Sequence, residues 1–178
     1  MNQRSFSILG RPIGPGHPCY VVAELSGNHN QSYENAVMLV HAAKAAGADA
    51  VKLQTYTADT LTIDSEKPDF RIGSGTAWDG KNLYSLYQEA FTPWDWQPKL
   101  KKEAEALGLH CFSSPFDDTA VDFLEMMGVG AYKIASFELV DLPLIRKVAA
   151  TGKPVIMSTG LASLAEIDEA VRTARSAG

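Results

Sequence analysis

Cysteine is nearly missing from this 178-residue sequence: Cys19 and Cys111 stand alone, without metal-ligand spacing between them. A disulfide framework and a cysteine-based metal cluster are thereby excluded. Apolar runs are short, and none approaches the roughly 18 residues that span a bilayer. Positive charge is in deficit. The net charge of −5 removes any general attraction to nucleic acid or an anionic membrane, so an anion site must be built locally. The opening "MNQRSFSILGRPIG" has no cationic segment leading into a long apolar run. No secretory signal is therefore expected, and the cytoplasm is the expected compartment. The sequence also lacks G-x-x-x-x-G-K-[ST], a G-x-G-x-x-G after a strand, H-E-x-x-H and G-x-S-x-G.

What is present reads as a globular α/β chain, with 46% hydrophobic and 21% charged residues. "CYVVAEL" predicts a strand, followed by a helix capped by Ser32 and running towards Gly47. "AVKLQT" (50–55) predicts a second strand. Thr92 and Pro93 predict the next helix start, threonine as cap and proline at the first helical position, where a missing N–H costs nothing. "HCFSSPF", "AYKIAS" and "PVIMST" predict three further strands. Asp117 or Asp118, Asp141 and Ser163 start the helices between and after them, the last through a capping box with Glu166. Five consecutive strand–helix units predict a parallel sheet with right-handed crossovers. A long insertion, residues 56–90, follows the second strand at the end where α/β proteins hold ligands. It is either a ligand wall or a surface elaboration.

Lys52 and Lys133 occupy matching places in two strands that otherwise read as core. A lysine in a sheet covered on both faces is costly unless it reaches solvent, a carboxylate or an anion. Hydroxyls at neighbouring strand ends (Ser113, Ser114, Ser136, Ser158 and Thr159) favour the anion, and with the ammonium groups they would suit a phosphate or carboxylate. Glu24, ending the first strand, is either a hydrogen-bonded structural group or a proton-transfer candidate. Gln54 shares the face of Lys52 and offers both a donor and an acceptor. His29 reads as a loop hydrogen-bonder with catalysis as the alternative, and Phe116 as a packed aromatic near the mouth.

"AELSGNHNQ", "KLQTYTADTLT", "FSSPFD", "AYKIASFE" and "VIMSTG", in this order, resemble the sialic acid synthase family. "LYSLYQEAFTPWDW" and "FSSPFDDTAVDFLE" resemble its pseudaminic acid branch, and the likeness runs from about Ser5 to Gly178. The resemblance implies a (β/α)8 barrel of the TIM type. Residues 1–178 would be its N-terminal part, with about the first five βα units. The rest of the barrel and an antifreeze-like domain would lie outside this chain.

The implied activity is condensation of phosphoenolpyruvate with an acetamido sugar, a 2,4-diacetamido-2,4,6-trideoxyhexose, by C–O cleavage and release of phosphate. Carried over, Lys52 and Ser114 would hold the phosphoenolpyruvate carboxylate, and Lys133, Ser136 and Ser158 its phosphate. Glu24 would face the reacting carbons or a sugar hydroxyl, and Gln54 and Phe116 the sugar. The family's divalent metal (Mn2+ or Mg2+) is held by two histidines, and His17, His29, His41 and His110 do not match them. A homodimer is implied for the longer protein, with no nucleic-acid or membrane partner. The alternatives are the N-acetylneuraminate or legionaminate branches, a Schiff-base aldolase using a strand lysine such as Lys133, and a non-enzymatic interaction module.

Overall fold

A hairpin that the sequence reading did not separate from the first strand opens the chain. The computed structural model describes residues 6–73, 75 and 78–178. Ser5, where the family likeness begins, and Ser74, Thr76 and Ala77 of the insertion lie outside the described residues. Strands β1 (Phe6–Ile8) and β2 (Arg11–Ile13) pair antiparallel around Leu9 and Gly10, both at positive φ as a tight hairpin turn requires. Ile8 is fully buried in one cluster with Ala50 and Phe112. Arg11 pairs with Asp49, whose other oxygen accepts from the Val21 amide at 2.8 Å. The hairpin therefore fastens to the amino-terminal end of the sheet and leaves the carboxyl end free.

The remaining elements follow in alternation: β3 (Val22–Glu24), α1 (Tyr33–Ala45), β4 (Ala50–Thr55), α2 (Ala58–Leu61), α3 (Leu83–Ala90) and α4 (Gln97–Ala106), then β5 (His110–Pro115), α5 (Asp118–Met127), β6 (Tyr132–Ile134), α6 (Leu142–Ala149), β7 (Val155–Met157) and α7 (Leu164–Ala177). Strands β3 to β7 lie in sequence order, all parallel, and form a curled half-barrel. The α/β barrel architecture expected from sequence is present in its first five units.

Local chemistry accounts for the boundaries. The Ser32 side chain accepts from the Asn35 amide to start α1, Asp117 caps α5 and Asp141 caps α6. Ser163 and Glu166 complete the reciprocal capping box of α7. Gly128 ends α5 in the left-handed conformation, which a Cβ would disfavour. The expected Thr92 cap is corrected. Helix α4 begins after Trp96 with Pro98 in its first turn, because the Thr92 hydroxyl is engaged by His29 instead.

Alternation along the strands sorts side chains between two layers. Val51, Leu53 and Cys111 face outward and pack with Val40 of α1 and Leu100 of α4. Tyr132 and Ile134 pack with Val121 and Leu124 of α5 and Ile145 of α6. Each fully buried aliphatic of this kind contributes about 1.5–3 kcal/mol against its exposure in the unfolded chain. Lys52, Gln54, Ser114 and Lys133 of the same strands are left on the inner face. Among the described residues no helix is long and apolar enough to cross a membrane.

Candidate active site

Register brings the candidate groups together. Glu24 lies beside Lys52, and Gln54 lies beside Ser114, in the parallel pairings of β3, β4 and β5. Residues in register share a face, so all four project inward. The pairing of Ser113 with Tyr132 puts Ser113 on the outer face and Lys133 on the inner one.

Lys52 and Glu24 form an ion pair, with side-chain exposures of 15% and 37%. The second Glu24 oxygen accepts from the Ser26 amide and hydroxyl at 3.2 and 3.1 Å. Burial, and after it the Lys133 ammonium, together lower the Lys52 pKa to about 8. The Glu24 carboxylate opposes that shift. Lys133 donates to the Ser158 hydroxyl at 2.5 Å and to the Ile134 carbonyl at 2.6 Å. Its pKa is also lowered, chiefly by burial, with Glu138 acting in opposition. Two ammonium groups thus converge on one inner rim close enough to repel each other. Ser114 is 1% exposed, and its hydroxyl has no hydrogen-bond partner among the described residues. A buried hydroxyl without a partner costs about 1–3 kcal/mol.

Ser136 follows β6, and its hydroxyl packs against Gly160, where a Cβ would come within 2.9 Å of it. Glycine at 160 lets the turn after β7 close over the rim beside Ser158. Of the hydroxyls expected there, Ser113 is a correction. It bonds to Thr55 at 2.7 Å, and Thr55 donates to Gln97 at 2.7 Å, within a buried network behind the sheet. Its side chain is spent on joining β4 and β5 to α4.

Two cavities adjoin the lysine rim. One, of about 500 Å³, is lined by Gln54, Tyr56, Thr62, Tyr87, Phe116 and Glu138 among others. The other, of about 390 Å³, lies between Ser26, Asn28 and Asn30 on one side and Trp78, Tyr87 and Glu89 on the other. The insertion therefore supplies walls to both. Phe116 meets the Tyr56 ring edge-to-face at 5.4 Å, so it packs and lines the site at once. Tyr84, in the same helix as Tyr87, reaches the surface instead and bonds to Asp59 at 2.8 Å. A third concavity of about 490 Å³, near Phe6, Pro154 and Gly178, lies at the amino end of β7 and holds none of these groups.

Sequence reasoning did not single out Glu138. It sits in the short 3-10 helix Phe137–Val140, half-buried, with one carboxylate oxygen lacking a partner among the described residues. Burial raises its pKa and Asp141 adds to the rise, while Lys133 opposes it. A carboxyl held in this way can accept or return a proton at the cavity. The one signal in sequence was its place two residues after Ser136.

The described residues do not fit a divalent cation. No group of three or more His, Cys, Asp or Glu among them could hold one. His29 bonds to Thr92, His41 pairs with Glu103, and His110 meets Tyr20.

Comparison with known proteins follows this geometry. The chain is 49% identical over 158 residues to the pseudaminic acid synthase of Helicobacter pylori, covering 89% of this chain and 46% of that protein. It is 34% identical to the N,N'-diacetyllegionaminic acid synthase of Legionella pneumophila, covering 93% of this chain and 46% of that one. The chain thus spans about half the length of the curated relatives it matches. In structure it resembles the N-acetylneuraminic acid synthetase of Leptospira borgpetersenii, with a TM-score of 0.83 and 25% identity over 98% of this chain and 56% of that one. The NeuB family matches residues 39–178, and the chain belongs to that family.

Proposed function

We propose that the protein containing this chain condenses phosphoenolpyruvate with a 2,4-diacetamido-2,4,6-trideoxyhexose to give pseudaminic acid and phosphate. The observation that carries this reading is the convergence of Lys52 and Lys133 on one inner rim beside the unpartnered Ser114 hydroxyl. Lysines that repel one another want a small, multiply charged anion between them. Lys52 and Ser114 take the carboxylate. Lys133, Ser136 and Ser158 take the phosphate. Glu24, released from Lys52 by the incoming carboxylate, faces the reacting carbons. Gln54, Phe116 and the cavities beside them seat the sugar.

In the reaction, C3 of phosphoenolpyruvate bonds to the aldehyde carbon and water adds at C2. Phosphate then leaves with its bridging oxygen. Glu138 faces the cavity as a group that can exchange a proton with the aldehyde oxygen. On the same reading the divalent metal, manganese or magnesium, would be held by residues outside this chain, since the described residues present no ligand set for either. The identity to the pseudaminic acid synthase, higher than to the legionaminic acid synthase, supports the choice of sugar. Residues 1–178 are, on the same reading, the N-terminal part of a barrel in a cytoplasmic homodimer.

The lowered Lys52 pKa also favours a Schiff-base aldolase as a second reading, because burial beside another cation activates an amine. One experiment separates the two. The full-length protein is assayed for phosphate release and product mass with the diacetamido sugar and with N-acetylmannosamine, and borohydride trapping is run alongside. Phosphate released in step with pseudaminic acid, without a covalent adduct, is the expected result. Preference for N-acetylmannosamine moves the protein to another branch, and a trapped lysine adduct overturns the condensation.

A further inference from the structure

His29 is 1% exposed, and both its ring nitrogens are engaged. The Gln31 amide donates to Nδ1 at 3.1 Å, so Nδ1 carries the lone pair and Nε2 the proton. Nε2 then donates to the Thr92 hydroxyl at 3.0 Å. Gln31 extends the same seam, its side-chain amide donating to the Glu89 and Phe91 carbonyls at 2.9 and 2.6 Å. The Trp96 ring closes over the imidazole edge-on at 5.6 Å. On the far side of this seam stands the 390 Å³ cavity, whose two walls are the segments being joined: Ser26 to Asn30, and Leu86 to Ala90. The fit is close, since a Cβ on Gly27 would lie 2.6 Å from the Ala90 carbonyl oxygen. Ser26, Asn30 and Gln31 all hold positive φ, a backbone that needs outside contacts to persist.

We propose that His29 is a positioning residue: as a neutral imidazole it latches the β3–α1 loop to the end of the insertion, and its protonation releases that cavity wall. A proton on Nδ1 would face the Gln31 N–H, setting donor against donor. Burial already pushes the His29 pKa below its ordinary 6.5. The charged and titratable groups on the surrounding elements are engaged elsewhere. On α1, Glu34 accepts from Ser32 and Tyr33 meets Trp96. Asp95, ahead of α4, is 4.0 Å from Lys99. Glu89 pairs with Lys81, and Glu24 with Lys52. None is bonded to the ring to hold a proton there. With the folded value lowered, the latch is complete above about 6.5 and is lost as pH falls through the folded value.

The proposal rests on the sugar lying in this cavity, and its test keeps the two apart. Amide hydrogen exchange over residues 26–31 is measured in the full-length protein at pH 8 and at a pH below the folded His29 value, located by following the imidazole proton signals through a titration, with correction for intrinsic exchange. Kinetics are run on the same samples. Wild type should lose protection at the lower pH. Thr92→Val, which keeps shape and removes the acceptor, should be less protected at both. Its KM for the sugar should rise about five-fold, as expected for one hydrogen bond, with KM for phosphoenolpyruvate and kcat within about two-fold. His29→Gln should lose the pH dependence, and Thr92→Val decides the matter where that variant fails to fold. Unchanged exchange in Thr92→Val overturns the latch. Raised exchange with an unchanged sugar KM overturns its positioning role. If no condensation occurs in wild type, the functional reading fails, and exchange still judges the latch.

Discussion

The site is built from two regions of opposite character. On the proposed reading its anion side is a row of strand ends, where Lys52, Ser114, Lys133 and Ser158 are spaced by the backbone ladder itself. On the same reading its sugar side is the insertion, whose end is held to the β3–α1 loop by side-chain bonds such as Gln31 to Glu89 and, just beyond it, His29 to Thr92. A ladder leaves little freedom, so it suits charge placement, which a displacement of about 1 Å can spoil. Side-chain seams are cheaper to alter, so they suit choice among similar sugars. The contrast teaches where strength and selectivity should separate under mutation.

The largest effect belongs to the ladder. Lys133→Ala in the full-length protein should cost on the order of 2–5 kcal/mol in kcat/KM for phosphoenolpyruvate. The circular dichroism spectrum should stay that of wild type, because Lys133 points into the rim and not into the packed layer. Near-normal kinetics would erase the distinction between the two regions.

How much of this was legible follows from the range of the forces involved. Caps and strands depend on neighbours in sequence, and Ala50–Thr55, Ser32, Asp141 and Ser163 were readable from local chemistry. The lysines were readable because a charge in a buried strand needs a reason. Ser113 was misplaced because two adjacent serines cannot both face inward, and the register with Gln54 that selects Ser114 is a long-range fact. Thr92 was misread for a similar reason: its partner His29 is 63 residues away. In the insertion, α3 and its Asn82 cap were passed over, since turn-rich sequence hides a helix of eight residues.

An intermediate effect should appear where the regions meet. Gln97 accepts from Thr55 and donates to the Gln54 and Thr92 carbonyls, tying the back of β4 to the end of the insertion. Gln97→Leu strands these partners in a buried place and should lower unfolding free energy by about 1–3 kcal/mol in a denaturant titration. If stability is unchanged, the network does not join the regions.

A pH titration sharpens the anion side. Lys52 loses its charge as pH rises through about 8, so phosphoenolpyruvate binding should weaken above that value, and calorimetry near pH 8 should detect proton uptake on binding. The folding contribution has the opposite sign. Between about 8 and the ordinary 10.5 the unfolded chain holds the proton that Lys52 has lost, so stability from this group rises with pH. Binding and stability moving together through that window would contradict the assignment.

The smallest effect comes from a pair of tyrosines three residues apart in α3. Tyr87 lines both cavities, and its pKa is raised by burial and by Glu138. Tyr84 stands one turn earlier, only about 60° round the helix, and gives its hydroxyl to Asp59 at the surface. Tyr87→Phe should raise the KM for the sugar a few-fold, about what one hydrogen bond supplies. Tyr84→Phe should leave both KM values within about two-fold, because an exposed hydroxyl exchanges its partner for water at little cost. The comparison removes the same atom from the same helix, so propensity and bulk cancel. Equal effects from the two would mean that the insertion supports the fold without touching the sugar, and selectivity would then have to reside in the strand rim.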